Sequence, residues 1–129
     1  MSPLCQHTLL EFHGCDPAQL RHARKVRVLM REAVLRGRGT IVKSLFHNFS
    51  PFGVSGVIVI TESHVTIHTW PEHNYAAVDI FSCSKKLDHK AIRQHLRETL
   101  LARKVSTRSF SRGNLPQNLA RKTKRSHAR

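Results

Sequence analysis

The residues of this 129-residue chain best suited to chemistry are Glu62, Ser63 and His64, which follow one another directly. The Ser63 hydroxyl stands next to the backbone carbonyl of Glu62, and a second histidine, His68, lies in the same segment. A serine hydroxyl can attack the carbonyl just before it when that peptide is strained and a base accepts the proton. The attack replaces an amide by an ester, and this is the chemistry that the order of the three residues makes available.

Ser55 and Cys83 are two further polar groups of the chain, a hydroxyl and a thiol. Ser55 lies in the apolar segment before Ser63, and we expect a hairpin at Ser63 to bring it back toward the bond between Glu62 and Ser63. An unperturbed histidine, with a pKa of about 6.5, accepts protons at neutral pH, and an unperturbed thiol, with a pKa of about 8.5, can donate one. Taken alone, a histidine on a strand is more often structural, and a cysteine on a strand is more often inert core.

Two neighbouring strands must position these groups. The β-branched run from Val54 to Thr61 predicts a buried strand, and the segment from His64 to Trp70 alternates between apolar and polar residues. Because successive side chains of a strand point to opposite faces, His68 and Trp70 share one face while Val65 lies on the other.

The remaining elements follow from caps and from strand propensity. Asp16, followed by proline, predicts the start of a helix that ends at Gly37, and Asp88 predicts the cap of a second helix. Further strands are predicted over Gln6 to Phe12, Thr40 to Phe49, Tyr75 to Cys83 and Val105 to Arg112. The order β-α-β-β-β-β-α-β predicts an α+β fold, a two-layer sandwich with a mainly antiparallel sheet and helices on one face. The other face of the sheet then needs a partner.

The segment from Val54 to Glu72 closely resembles the self-cleaving, pyruvoyl-dependent S-adenosylmethionine decarboxylases of bacteria and archaea. The similarity runs from about residue 7 to about residue 113 of the chain. It implies cleavage between Glu62 and Ser63, with Ser63 becoming a covalent pyruvoyl group at the start of the C-terminal fragment. It also implies a homodimer of cleaved protomers in an αββα arrangement, in which two sheets pack face to face and each active site draws residues from both chains.

The same resemblance implies roles for the individual groups. His68 would remove the α-proton of Ser63 during processing, and Ser55 would stabilise the oxyoxazolidine intermediate. The pyruvoyl ketone would form a Schiff base with the substrate amine and act as an electron sink while carbon dioxide leaves, as pyridoxal phosphate does in other enzymes. Cys83 matches the proton donor of the family.

Five positions match the substrate pocket of the family, so the resemblance implies that they bind S-adenosylmethionine. Aromatic faces suit a purine ring and a sulfonium cation, and a carboxylate can accept hydrogen bonds from ribose hydroxyls. Glu11 is a carboxylate near that pocket whose alternative role is that of an ordinary charged strand residue. The five positions are Phe49, Val65, Trp70, Glu72 and Glu11.

The charge of the chain is concentrated toward its C-terminus. There are 22 Lys and Arg residues against 8 Asp and Glu, a net charge of +14, and no acidic residue follows Glu98. We therefore predict a domain over residues 1–114 and a basic, disordered tail over residues 115–129. Such a tail can bind nucleic acid without sequence preference, although a solvated tail with no specific partner is the simpler interpretation.

The sequence also predicts the compartment. Its apolar runs are too short to span a membrane, and its start lacks the pattern of a secretory signal. The three cysteines are odd in number and lack metal-binding spacing, so we expect a reducing cytoplasm, no metal site and no disulfide framework.

Three functions remain open from the sequence. The first is S-adenosylmethionine decarboxylation, which supplies the aminopropyl donor of spermidine synthesis. The second keeps the pyruvoyl chemistry but acts on arginine or ornithine, for which added carboxylates would be expected in place of Phe49, Trp70 and Glu72. The third is a nucleic-acid-binding protein that acts through its basic tail.

Overall fold

The computed structural model describes residues 3–116 of the chain, which form one sheet and two α-helices. The predicted tail over residues 115–129 therefore lies almost entirely outside the described residues. The element order is that predicted from the sequence. The strands are β1 (Cys5–His13), β2 (Ile41–Asn48), β3 (Val54–Ile60), β4 (Ser63–Trp70), β5 (Tyr75–Ser82) and β6 (Lys104–Arg112); the helices are α1 (Ala23–Arg36) and α2 (His89–Leu100).

Within the described residues, the six strands form a single sheet in the order β2-β3-β4-β5-β1-β6. Every neighbouring pair is antiparallel, which confirms the predicted sheet. β4 lies between β3 and β5, and its register places Ser55 opposite His68 and Ser63 opposite Ser82. None of the helices between residues 3 and 116 is long and apolar enough to cross a membrane.

Both helices lie on one face of the sheet, and alternation along the strands fills the space beneath them. Phe12, Ile67 and Ile80 contribute from three strands and are fully buried. From α2, the predicted inward residues Ile92, Leu96 and Leu100 are also fully buried. None of the residues from 3 to 116 forms a layer on the other face of the sheet, so this part of one protomer is a two-layer α+β sandwich.

The helix caps match the prediction at one helix and correct it at the other. The Asp88 carboxylate accepts a hydrogen bond from the backbone N–H of Ala91, which confirms it as the N-cap of α2. Asp16 caps only a short 3₁₀ turn, Pro17–Gln19. The helix α1 begins at Ala23, which is six residues after Pro17. The predicted start of the first helix was wrong because the chain leaves the first turn at Leu20 before the longer helix begins.

Gly56 of β3 gives the fold a testable close contact. A methyl group on Gly56 would overlap the ring of Phe46, which lies directly opposite on β2. We expect Gly56→Ala to lower the free energy of unfolding by about 1–3 kcal/mol, as overpacking does elsewhere. Urea unfolding of Gly56→Ala, of Phe46→Ala and of the double variant measures the energetic coupling between the two residues. If Gly56→Ala lowered the free energy of unfolding equally in the wild type and in the Phe46→Ala chain, the contact would be contradicted.

Candidate functional site

The predicted scissile peptide lies in the tight turn between β3 and β4. Ser63 begins β4 with a φ of 143°, a backbone conformation that residues with a side chain rarely adopt. Such a conformation costs on the order of 1–3 kcal/mol, and surrounding contacts must hold it. The strain that the sequence argument requires is therefore present at Ser63.

The side chain of Glu62 is anchored rather than free. It is buried, and its carboxylate accepts a 3.0 Å hydrogen bond from the backbone N–H of Thr40. Its second oxygen lies 3.4 Å from Nζ of Lys86. Burial tends to raise the pKa of the Glu62 carboxyl, but hydrogen bonds from Thr40, Thr61 and Lys86 help to outweigh it and leave that pKa below its ordinary value. These contacts fix one side of the scissile peptide.

The carbonyl group of Glu62 is also held, and by the residue predicted to donate a proton. The backbone N–H of Cys83 donates a 3.0 Å hydrogen bond to the Glu62 carbonyl oxygen. A donor at this oxygen stabilises the negative charge that develops there when a nucleophile attacks the carbon. Glu62, Ser63 and Cys83, which we name the cleavage end of the sheet, therefore form one cluster within a protomer.

Cys83 is joined to Cys5 by a disulfide, which corrects the expectation from the sequence that the cysteines form no disulfide framework. The antiparallel register of β1 and β5 pairs Gln6 with Ser82, and one step further Cys5 and Cys83 stand opposite each other with Cα atoms 4.0 Å apart. In this state Cys83 has no thiol proton, so its predicted role requires the reduced form. No signal in the sequence pairs two cysteines from strands so distant along the chain.

Ser55 and His68 lie together, but they are far from Ser63. Ser55 Oγ lies 2.8 Å from Nδ1 of His68, across the β3–β4 pair. His68 is five residues along β4 from Ser63, which is about 17 Å at the rise of an antiparallel strand. The expected return of Ser55 to the scissile bond was wrong, because the hairpin turns at the other end of both strands.

Most of the predicted pocket residues accompany His68. Trp70 is exposed and stacks on Tyr75, with ring centroids 5.4 Å apart. The Tyr75 hydroxyl donates a hydrogen bond to the Glu11 carboxylate; burial and this carboxylate together raise the pKa of Tyr75 to about 12. Glu72 is exposed in the 3₁₀ turn Pro71–His73 that follows Trp70.

Phe49 completes this group, since it follows β2 where that strand pairs with the start of β3. Its ring is about half exposed and packs edge-on against His47. We name this region, which holds Phe49, Ser55, His68, Trp70 and Glu72, the pocket end of the sheet.

Val65 differs from the other predicted pocket residues. It is fully buried in the core between the sheet and the helices. Its side chain lies on the face opposite to that of Trp70, because the two positions differ by an odd number along β4. The Val65 side chain therefore lies on the face that the alternation of β4 predicts, and the place of Val65 in the substrate pocket stays a prediction.

A polar network that the sequence argument did not use lies between the two ends. The Asp79 carboxylate contacts His7 Nε2 at 2.7 Å and His64 Nε2 at 3.4 Å, and it accepts a hydrogen bond from Thr66. Burial tends to raise the pKa of Asp79, but these hydrogen bonds lower it below its ordinary value. The available signal was the alternation of side chains along β5, which puts Asp79 on one face of the sheet together with Cys83.

Comparisons with known proteins agree with this arrangement. The sequence profile of S-adenosylmethionine decarboxylase matches residues 6–113. An S-adenosylmethionine decarboxylase proenzyme of Thermotoga petrophila is 43% identical over 113 residues, which are 88% of this chain and 87% of that protein. The proenzyme of Thermosipho africanus is 42% identical over 123 residues, covering 92% and 95% of the two chains.

The fold leads to the same group of proteins. The crystal structure of the adenosylmethionine decarboxylase from Aquifex aeolicus VF5 superposes with a TM-score of 0.83, at 26% sequence identity. The superposition covers 94% of this chain and all of that one. Since sequence profile, full-length relatives and fold agree over the domain that carries Glu62, Ser63 and Cys83, this chain belongs to the S-adenosylmethionine decarboxylase family.

Proposed function

We propose that this chain is a pyruvoyl-dependent S-adenosylmethionine decarboxylase that forms its own cofactor by cleavage between Glu62 and Ser63. The observation that carries the proposal is the scissile peptide itself. Ser63 has a strained backbone, and the carbonyl before it already accepts a hydrogen bond from Cys83 N–H. Both features favour attack by the Ser63 hydroxyl, and an ordinary strand turn requires neither.

The first step then uses groups of a single protomer, with the exception of the base. Ser63 Oγ bonds to the carbonyl carbon of Glu62, and the negative charge on the oxygen is stabilised by the N–H of Cys83. The carbon–nitrogen bond breaks, which relieves the strain at Ser63 and leaves an ester. Removal of the Ser63 α-proton then expels the Glu62 carboxylate and leaves a dehydroalanine at residue 63, so one fragment ends at Glu62 and the other begins at residue 63. The dehydroalanine tautomerises to an imine, and water hydrolyses the imine to the pyruvoyl group with release of ammonia.

We assign the base and the helper hydroxyl to a second copy of the chain. Within one protomer His68 and Ser55 lie about 17 Å from Ser63, too far for proton transfer. Consider a two-fold axis that lies in the plane between the two sheets, runs perpendicular to the strands and passes near Thr66. Rotation about it would place the His68 of each protomer over the Ser63 of the other. Two sheets that pack face to face lie about 10 Å apart, a gap that inward-pointing side chains fill.

The open face offers such a dimer a suitable surface. Aromatic and apolar side chains are exposed there, among them Leu45, Val59, Trp70 and Phe110. An exposed apolar sheet face of this kind is typical of a surface that binds another protein. The same pairing brings the pocket end of one protomer to the cleavage end of its partner.

Each active site then combines both ends. The stacked rings of Trp70 and Tyr75, together with Phe49, suit the purine ring and the sulfonium cation of S-adenosylmethionine. The Glu72 carboxylate can accept hydrogen bonds from ribose hydroxyls. The pyruvoyl group, once formed, supplies the electron sink for decarboxylation. Cys83, in its reduced form, delivers the proton to the substrate carbon.

Neither of the other two functions gains support from the structure or the relatives. The predicted pocket residues keep aromatic rings where a guanidinium site would favour added carboxylates, and the relatives described above are S-adenosylmethionine decarboxylases. We also propose that the product serves spermidine synthesis and that the enzyme acts in the cytoplasm. Contact between the basic tail and nucleic acid would be a side activity of residues outside the described part.

The test is the mass of the purified chain, denatured in the presence of a reductant, combined with release of labelled carbon dioxide from S-adenosylmethionine. We expect two fragments that divide after Glu62, the second about 17 Da lighter than the same fragment with an N-terminal serine, because ammonia is lost. Carbon dioxide should come from S-adenosylmethionine and not from arginine or ornithine. A chain that stays uncut under these conditions would refute the proposal.

A further inference from the structure

The disulfide between Cys5 and Cys83 lies at the cleavage end of the sheet, on the residue assigned as proton donor. Cys5 begins β1, and Cys83 follows β5, so the strand register alone brings the two sulfur atoms together. Cys83 performs two separate tasks in the proposed reaction. Its backbone N–H contacts the Glu62 carbonyl during cleavage, and its thiol supplies a proton during decarboxylation. A disulfide leaves the first group intact and removes the second.

We propose that Cys5 and Cys83 form a reversible thiol–disulfide pair that switches decarboxylation off when oxidised and leaves self-cleavage unaffected. The inference rests on the proposed function, because it needs the Cys83 thiol as proton donor. In a reducing compartment a disulfide is usually transient, and catalytic or regulatory rather than structural, which agrees with a switch of this kind.

The oxidant that closes the pair is a second disulfide, on a small molecule or on a protein. The Cys83 thiolate attacks one sulfur of that disulfide, forms a mixed disulfide and releases one thiolate. The Cys5 thiolate then attacks the Cys83 sulfur and displaces the second thiolate. The two protein thiols lose two electrons and two protons, and the external disulfide becomes two thiols. A dithiol reverses both steps.

The pair is accessible to such reagents. Cys83 is exposed and Cys5 is half-buried, and both line a cavity of about 390 Å³ at this end of the sheet. The third cysteine is not a competitor. Cys15 is 1% exposed, and burial raises the pKa of its thiol to about 11, so it is both inaccessible and protonated. Exchange should therefore be confined to Cys5 and Cys83.

The bond also crosses the cleavage site. Cys5 lies in the fragment that ends at Glu62, and Cys83 lies in the fragment that begins at Ser63. In the oxidised state the two fragments of a cut chain therefore stay covalently joined. This gives the state of the pair a readout that does not depend on activity.

The experiment compares the wild-type chain with Cys5→Ser after full processing under reducing conditions. Each protein is divided, and one half is treated with excess oxidised dithiothreitol. This cyclic disulfide closes pairs of thiols but cannot remain attached to a lone thiol, because its second sulfur displaces the protein. Denaturing mass without reductant reports the bond, and labelled carbon dioxide reports activity.

We expect the oxidised wild type to give the mass of the joined fragments. Its activity should fall about 100-fold or more, because a general acid usually contributes a factor of that size to the rate. Dithiothreitol should restore that activity. Cys5→Ser should give separate fragments and keep its activity after the same treatment, and Cys15 should remain a free thiol in both proteins.

Three results would overturn the switch: joined fragments with full activity, equal loss of activity in wild type and Cys5→Ser, or fragments that stay separate after oxidation. A reduced wild type that is uncut, or cut but without decarboxylase activity, would instead refute the proposed function. In a cut but inactive chain the joined fragments would still show whether the pair forms, and in an uncut chain a mass about 2 Da lower than that of the reduced chain would show it.

Discussion

A Ser63→Ala chain should remain a single polypeptide and release no carbon dioxide from S-adenosylmethionine. Alanine removes the only atom of that residue that can attack the Glu62 carbonyl, so neither the ester nor the pyruvoyl group can form. We expect the loss of decarboxylation to be at least about 10⁴-fold, since without the pyruvoyl group the protein offers the substrate no electron sink. Reduced denaturing mass measures cleavage, and carbon dioxide release measures turnover.

The matched control is Thr61→Ala, which removes an exposed hydroxyl and one hydrogen bond to the Glu62 carboxylate from the same turn, while the contacts of that carboxylate with Thr40 and Lys86 remain. That chain should still be cut after Glu62, because the Ser63 hydroxyl and the Cys83 N–H contact are unchanged. Circular dichroism of the Ser63→Ala chain should match that of the uncut wild type, which excludes misfolding as the cause of its inactivity. Fragments ending at Glu62 in the Ser63→Ala protein would show that another group cuts the chain.

Co-expression of two inactive chains, Ser63→Ala and His68→Ala, should restore activity. If each site combines the cleavage end of one protomer with the pocket end of the other, a mixed dimer contains one site with both residues intact. Random pairing gives half mixed dimers, each with one intact site of two, so we expect about a quarter of wild-type activity. Different affinity tags on the two chains allow the mixed dimer to be purified before the assay.

The control for complementation pairs Ser63→Ala with Cys83→Ala. Both residues belong to the cleavage end, so in a mixed dimer every site lacks one of them and activity should stay at background. Recovery in this control would mean that Ser63 and Cys83 act from different protomers, against the contact between Cys83 N–H and the Glu62 carbonyl. No recovery with Ser63→Ala and His68→Ala would contradict the shared site.

Both experiments ask whether one folded protomer lacks part of the reactive set. The open sheet face with its exposed Trp70 and Leu45 is present in one protomer, but the reactive set there is incomplete. A chain of this family would then be active only as a dimer, because strand geometry separates His68 from Ser63 along the same β-strand. If both experiments give the expected results, the second protomer has a catalytic role in addition to covering apolar surface.

Local patterns in the sequence determined the elements and the chemistry of this protein. The alternation of β4 placed His68 and Trp70 on one face, Asp88 capped α2, and the Glu62–Ser63 run predicted a reactive peptide at a position where the structure has a strained backbone. Each of these signals lies within a few residues of the feature that it predicts. Backbone periodicity and capping act over that range, so a single sequence contains them.

Only the tertiary structure decided which distant residues meet. The order of the strands puts β1 beside β5, and that neighbourhood pairs Cys5 with Cys83 across 78 positions of the chain. The hairpin between β3 and β4 keeps Ser55 with His68 and away from Ser63. The physical reason is that register and strand order depend on the packing of the whole sheet against its helices, which no local pattern contains.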